Sequence, residues 1–129
     1  MKATTLIALV VLLACGDGAN VIGPSNQLQV NNATDDFQLQ VSNLGNVTQT
    51  LHYTWNNTGD SASVNQATVV TGGTATLTIR GPDNAIVYQS DLTGNGTFQT
   101  TLSTVGAWSI ELRLRKADGD VNFRVQKAP

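Results

Sequence analysis

From Gln27 onward, apolar residues recur at every second position, the period of a strand with one face buried. Leu28 and Val30 open the series, and Phe37, Leu39 and Val41 continue it with polar residues between. Val47, Gln49, Leu51, Tyr53 and Trp55 then share a face, opposite Thr48, Thr50, His52 and Thr54. Ala62 and Val64, followed by Ala67 and Val69, predict a strand interrupted near Gln66. Ala75, Leu77 and Ile79 form the next inward set, with Thr74, Thr76, Thr78 and Arg80 outward. Residues 85–92 read as a strand; Phe98, Thr100 and Leu102 share a face; Trp108, Ile110, Leu112 and Leu114 alternate, as do Val121, Phe123 and Val125. Gly81-Pro82-Asp83-Asn84, Thr93-Gly94-Asn95-Gly96 and Asp118-Gly119 supply turn residues between these runs. No helical period appears after the first fourteen residues. The pattern predicts an all-β fold, an antiparallel β-sandwich of about eight or nine strands in two sheets, immunoglobulin-like or jelly-roll-like.

The last two runs make a specific expectation. With Asp118-Gly119 as a two-residue type I′ loop, Leu114 faces Phe123 and Leu112 faces Val125 in one hairpin. The same register sets Arg113 against Arg124 on the outward side, with Arg115 beside them.

The N-terminus follows a different rule. Lys2 precedes the apolar run from Leu6 to Leu13, which is too short to span a bilayer as a helix and has the proportions of a signal segment. It closes with Leu12-Leu13-Ala14-Cys15, an aliphatic residue three before the cysteine and a small one just before it, and here the chain resembles the bacterial lipoprotein family. That resemblance implies a signal helix over 1–14, a diacylglycerol thioether on Cys15, cleavage before it, and often an acyl group such as palmitate on the new amine. Acyl chains contribute about 0.8 kcal/mol per buried methylene, so two or three anchor stably. Residues 15–26, rich in Gly, Asn and Pro, read as a flexible tether, leaving 27–129 as the β-sandwich domain. Cys15 is the sole cysteine, which excludes an internal disulfide. Gly16 stands where the family uses Asp for inner-membrane retention, so the resemblance implies the outer membrane of the cell envelope rather than the inner one.

Charge then narrows the partners. The full chain carries seven basic and nine acidic side chains, −2 overall, and loses Lys2 with the signal to become −3. This excludes bulk attraction to nucleic acid. Five of the six remaining basic residues, Arg113, Arg115, Lys116, Arg124 and Lys127, fall in the last seventeen positions. Arg113, Arg115 and Arg124 are the candidate anion-binding stripe, for an acidic glycan, a lipid headgroup or an acidic protein; the competing reading is protection of an exposed edge.

Catalytic chemistry finds little material. His52 is the only histidine and faces outward by parity, and Glu111, the only glutamate, stands beside the arginines of its own strand, where pairing is the expected role. Neither a triad nor a zinc site can be assembled from one histidine and a lipid-committed cysteine. Asp35-Asp36 and Asp118-Gly119-Asp120 offer oxygens for calcium but lack a spaced acidic loop, so turn formation is the reading. No metal or cofactor is expected. Tyr53, Trp55 and Trp108 offer aromatic faces for sugar stacking, against core packing.

Ala75-Thr76-Leu77-Thr78-Ile79, Gly81-Pro82-Asp83-Asn84, Val87-Tyr88, Gly106-Ala107-Trp108-Ser109-Ile110-Glu111-Leu112 and Val121-Asn122-Phe123-Arg124-Val125 together resemble small bacterial immunoglobulin-like and prepeptidase-type sandwiches. The resemblance covers about the last 55 residues. It implies a stabilising or binding accessory domain, with no catalytic motif to transfer. The expectation is a lipid-anchored, non-enzymatic envelope domain with a binding or structural role, its partner an envelope protein or a glycan. A carbohydrate-binding module is the alternative; an envelope hydrolase is disfavoured.

Overall fold

The computed structural model describes residues 20–129; the signal segment and Cys15 lie outside the described residues. Seven antiparallel strands form one continuous sheet: β1 (Gln29–Ala33), β2 (Asp36–Asn57), β3 (Ala62–Gln66), β4 (Val69–Arg80), β5 (Ile86–Asp91), β6 (Gly96–Gln99) and β7 (Gly106–Lys127). β2 and β7 are each 22 residues long and pair along nearly their whole length, but their ladder slips three times between Val41 and Gln49. At those slips both strands bend and pass from one layer of the sandwich to the other. Residues 36–41 and 121–126 join β1, β3 and β6 in the first layer. Residues 49–57 and 106–114 join β4 and β5 in the second. Seven strands thus provide nine segments, five in one layer and four in the other.

The inward sets predicted by alternation meet between these layers. Phe37 and Leu39 from one arm of β2 pack with Leu77, Ile79, Ile110 and Leu112 from the other layer in a single cluster. Phe37 and Tyr53, from the two arms of the same strand, have ring centroids 5.3 Å apart. Trp55 and Trp108 are fully buried and meet edge to face at 6.0 Å. Their indole N–H groups donate to the carbonyls of Ala33 at 3.0 Å and Thr104 at 2.8 Å, so neither polar handle is left unpaired.

The structure corrects the hairpin at Asp118-Gly119. A type I′ loop needs positive φ at both central residues, and only Gly119 has it, at 118°. β7 runs on through this point, paired with β2 and β4. Leu112 lies beside Leu51 and Leu77, and Phe123 beside Leu39 and Gln66, so the two halves of β7 contribute to opposite layers instead of pairing with each other.

The bend is built from backbone that few residues adopt. Lys116 has φ of 47°, and the bulge there leaves both Arg115 and Lys116 exposed while Leu114 and Ala117 on either side are buried. Strict alternation would have sent one of the two cations inward. Gly73 takes φ of 65° directly against this segment: a methyl there would sit 2.0 Å from the Lys116 carbonyl oxygen.

Two further expectations change. The stretch read as a tether is docked from Asn20 on: Pro24–Asn26 forms a 3₁₀ turn, and the buried Asn26 amide donates to the carbonyls of Ser42 and Asn43 at 3.0 and 2.9 Å. Leu28 and Val30, and likewise Phe98 and Leu102, are exposed: Val30 and Phe98 lie on the edge strands β1 and β6, each with a neighbour on one side only, while Leu28 precedes β1 and Leu102 falls in the loop after β6.

Candidate functional site

The outer face of the second layer carries ranks of polar side chains. With Leu112, Leu114, Ala75, Leu77 and Ile79 committed to the core, the intervening residues of β7 and β4 point to the opposite, outer face, where Thr78 is itself covered and only 4% exposed. One rank runs from His52 through Glu111 and Thr78 to Gln89, and the next from Thr50 through Arg113 and Thr76 to Asp91. Arg115 stands opposite Thr74 in a third. Threonine suits these positions because its branched Cβ fits the pleat while its hydroxyl can bond a side chain on the neighbouring strand. The ranks enclose a shallow trough of about 330 Å³.

Local hydrogen bonds fix the walls of the trough. The Gln89 amide donates to Thr78 Oγ1 at 3.0 Å, and Thr76 Oγ1 donates to Asp91 at 2.9 Å. His52 Nδ1 lies 3.6 Å from Glu111 Oε1, so the glutamate pairs with the histidine of the neighbouring strand and not with the arginines of its own. Among the described residues, the side chains of Arg113 and Arg115 have neither a hydrogen bond nor an ion pair. Two free guanidinium forks beside hydroxyl and amide groups can clasp a carboxylate, sulfate or phosphate and hydrogen-bond a polyhydroxylated scaffold at the same time.

Arg124 does not belong to this group. It sits in the first layer, between Gln38 and Asn65, and its Nε and Nη2 donate to the two oxygens of Asp36 at 2.9 and 2.8 Å. The three-arginine stripe is therefore corrected to two residues, since the stripe depended on the hairpin that β7 does not form. The hydrogen bond from Arg124 holds the Asp36 carboxyl below its ordinary range, and Asp36 in turn raises the guanidinium.

The other candidates resolve into structural roles. Trp55 and Trp108 lie in the core, so no platform for stacking sugars is built from them. Tyr53 is half-buried against Phe37. The His52 side chain is 69% exposed, and no hydroxyl is hydrogen-bonded to its imidazole among the described residues. Asp35 accepts from the Thr58 N–H at 2.7 Å and from its hydroxyl at 2.8 Å. Asp118 and Asp120 accept from the backbone N–H groups of Asn46 and Asn43. Among the described residues no group of three or more His, Cys, Asp or Glu side chains is placed to hold a metal ion. Sequence reasoning passed over the threonine comb and Gln89, although the outward parity of Thr74, Thr76 and Thr78 was already visible.

No family model matches the chain, and no curated protein does. Among solved structures, a carbohydrate-binding module from Cellvibrio mixtus lichenase 5A in complex with cellotriose aligns at 14% identity and a TM-score of 0.47, over 80% of this chain and 87% of that one. CsCBM6-3 from Clostridium stercorarium in complex with cellobiose aligns at 21% identity and a TM-score of 0.40, over 83% and 86%. PliG of Aeromonas hydrophila, a periplasmic inhibitor of g-type lysozyme, aligns at 14% identity and a TM-score of 0.40, over 83% and 91%. At these scores the likeness is one of outline and carries no functional inference.

Proposed function

We propose that this protein is a non-catalytic binding domain, held at the bacterial cell envelope by acyl chains on Cys15, that takes an acidic glycan on the outer face of its second layer. The observation that carries the ligand reading is the unpartnered Arg113, set among ranks of hydroxyl and amide groups, with Arg115 at the end of the same trough nearest the corner. A hydroxyl-rich, anion-bearing chain matches both halves of that chemistry. The anchor reading is supported by the lipoprotein-like segment Leu12-Leu13-Ala14-Cys15 and by the solitude of that cysteine.

The secreted Cys15→Ser protein is to be applied to an array of neutral and acidic oligosaccharides. Capture of acidic members, with at least tenfold weaker capture by Arg113→Glu, is the expected result; indifference to that charge reversal, or capture of neutral members alone, refutes the ligand reading. The anchor is read separately, as loss of the Cys15→Ser protein from carbonate-washed membranes.

A further inference from the structure

The chain enters the described domain at the corner where β2 and β7 bend. Asn20 lies parallel to Val47: its N–H donates to the Asn46 carbonyl at 3.0 Å and its carbonyl accepts from the Thr48 N–H at 2.9 Å. The Asn20 side chain adds a bond to the Gly45 carbonyl at 2.8 Å. Thr48 then accepts the Lys116 N–H through its hydroxyl at 3.0 Å. A single residue therefore separates the entry point from the bulge that turns Arg115 and Lys116 outward.

Thr48, Thr74, Arg115 and Lys116 line an open trough of about 540 Å³ at this corner. Neither cationic side chain has a hydrogen bond or ion pair among the described residues. Two carboxylates stand at the same end, but Asp118 accepts from the Asn46 N–H at 2.8 Å and Asp120 from the Asn43 N–H at 2.9 Å. The acids are engaged by the corner's own backbone while the cations are left to solvent.

Five residue steps separate Cys15 from Asn20, and at full extension they reach no more than about 18 Å. Docking of Asn20 removes the slack that residues 20–26 would otherwise provide. Resting on the reading of Cys15 as the lipid-bearing residue, we propose that the corner faces the bilayer, with Arg115 and Lys116 engaging the phosphates of anionic phospholipid headgroups. The negative potential of such a surface decays over a Debye length of about 8 Å, so only cations close to the anchor feel it. A chain of net charge −3 is repelled as a whole. The local attraction therefore sets orientation, and the acyl chains supply the attachment. The 100–105 loop, with Leu102 74% exposed, stands at the other end of the β2–β7 ladder, about 30 Å away.

The test uses the full chain produced with its signal, its lipid verified by mass spectrometry, in phosphatidylcholine vesicles with or without phosphatidylglycerol. With Cys15 acylated, a new thiol at Thr74→Cys or Leu102→Cys can be labelled alone and read by energy transfer to a headgroup acceptor. The Thr74 label is expected to transfer several-fold more strongly than the Leu102 label. That contrast deepens with phosphatidylglycerol and shrinks in Arg115→Gln/Lys116→Gln. Equal transfer from both labels, or a contrast indifferent to phosphatidylglycerol and to the double substitution, overturns the orientation while leaving the anchor standing. An unmodified Cys15 in the mass spectrum overturns the anchor reading, and the orientation with it.

Discussion

Asp36 and Arg124 show what a single residue position conceals in a sequence. Their partnership spans 88 residues, and it exists only because β2 and β7 pair in one register. The arginine's outward parity was legible; its neutraliser was not, because alternation says which way a side chain points and nothing about which strand lies beside it. The pair also gives the fold an acid response. Asp36, through Arg124, and Asp35, through the Thr58 backbone N–H and then its hydroxyl, both titrate below the ordinary carboxylate value of 3.8. A carboxyl depressed in the folded state stabilises above its unfolded value and loses that contribution as pH falls through its folded one. Arg124→Gln is thus expected to lower the urea midpoint near neutrality and to converge with the unsubstituted protein well below the carboxylate range. A constant gap across pH rules out this origin. His52 was equally legible as an exposed strand residue, while its contact with Glu111 again depended on the register.

At the level of the element, the strands were readable because period two survives along each arm, from Phe37 to Val41 and from Trp108 to Leu114. The corner was not. Asp118-Gly119 carries the same turn signal whether the chain reverses into a hairpin or bends into the opposite layer, and lysine at positive φ is not a sequence signal at all. The small polar residues before Gln27 also gave no hint that Asn26 would plug the corner. The glycines there are a direct check on the geometry. Gly119 combines φ of 118° with a site where a methyl would lie 2.0 Å from the Val69 carbonyl oxygen, whereas nothing lies within 4 Å of the equivalent position at Gly45. Gly119→Ala should cost about 1–3 kcal/mol from backbone strain alone. Gly45→Ala is expected to be neutral or to stabilise by up to about 1 kcal/mol, through a less flexible unfolded chain. Equal thermal midpoints for the two variants would contradict the corner as described.

For the molecule as a whole, the position of β7 has a consequence in time. It pairs with β2, β3 and β4, and the six other strands precede it in the chain. Until it arrives, neither layer has its central strand, and β2 and β3 lack the neighbour that joins them. Pairings between partners so distant in sequence are slow to form, because the loop entropy is spent before the contacts return it. A chain stopped at Val105 should therefore show no protected amides in β2 by hydrogen exchange and no cooperative unfolding; a protected β2 in that fragment would mean the layers assemble without β7. On the proposed reading of residues 1–15 as an export signal, such a topology leaves the emerging polypeptide without a closed fold, and so threadable through a translocon, until its final strand has been made.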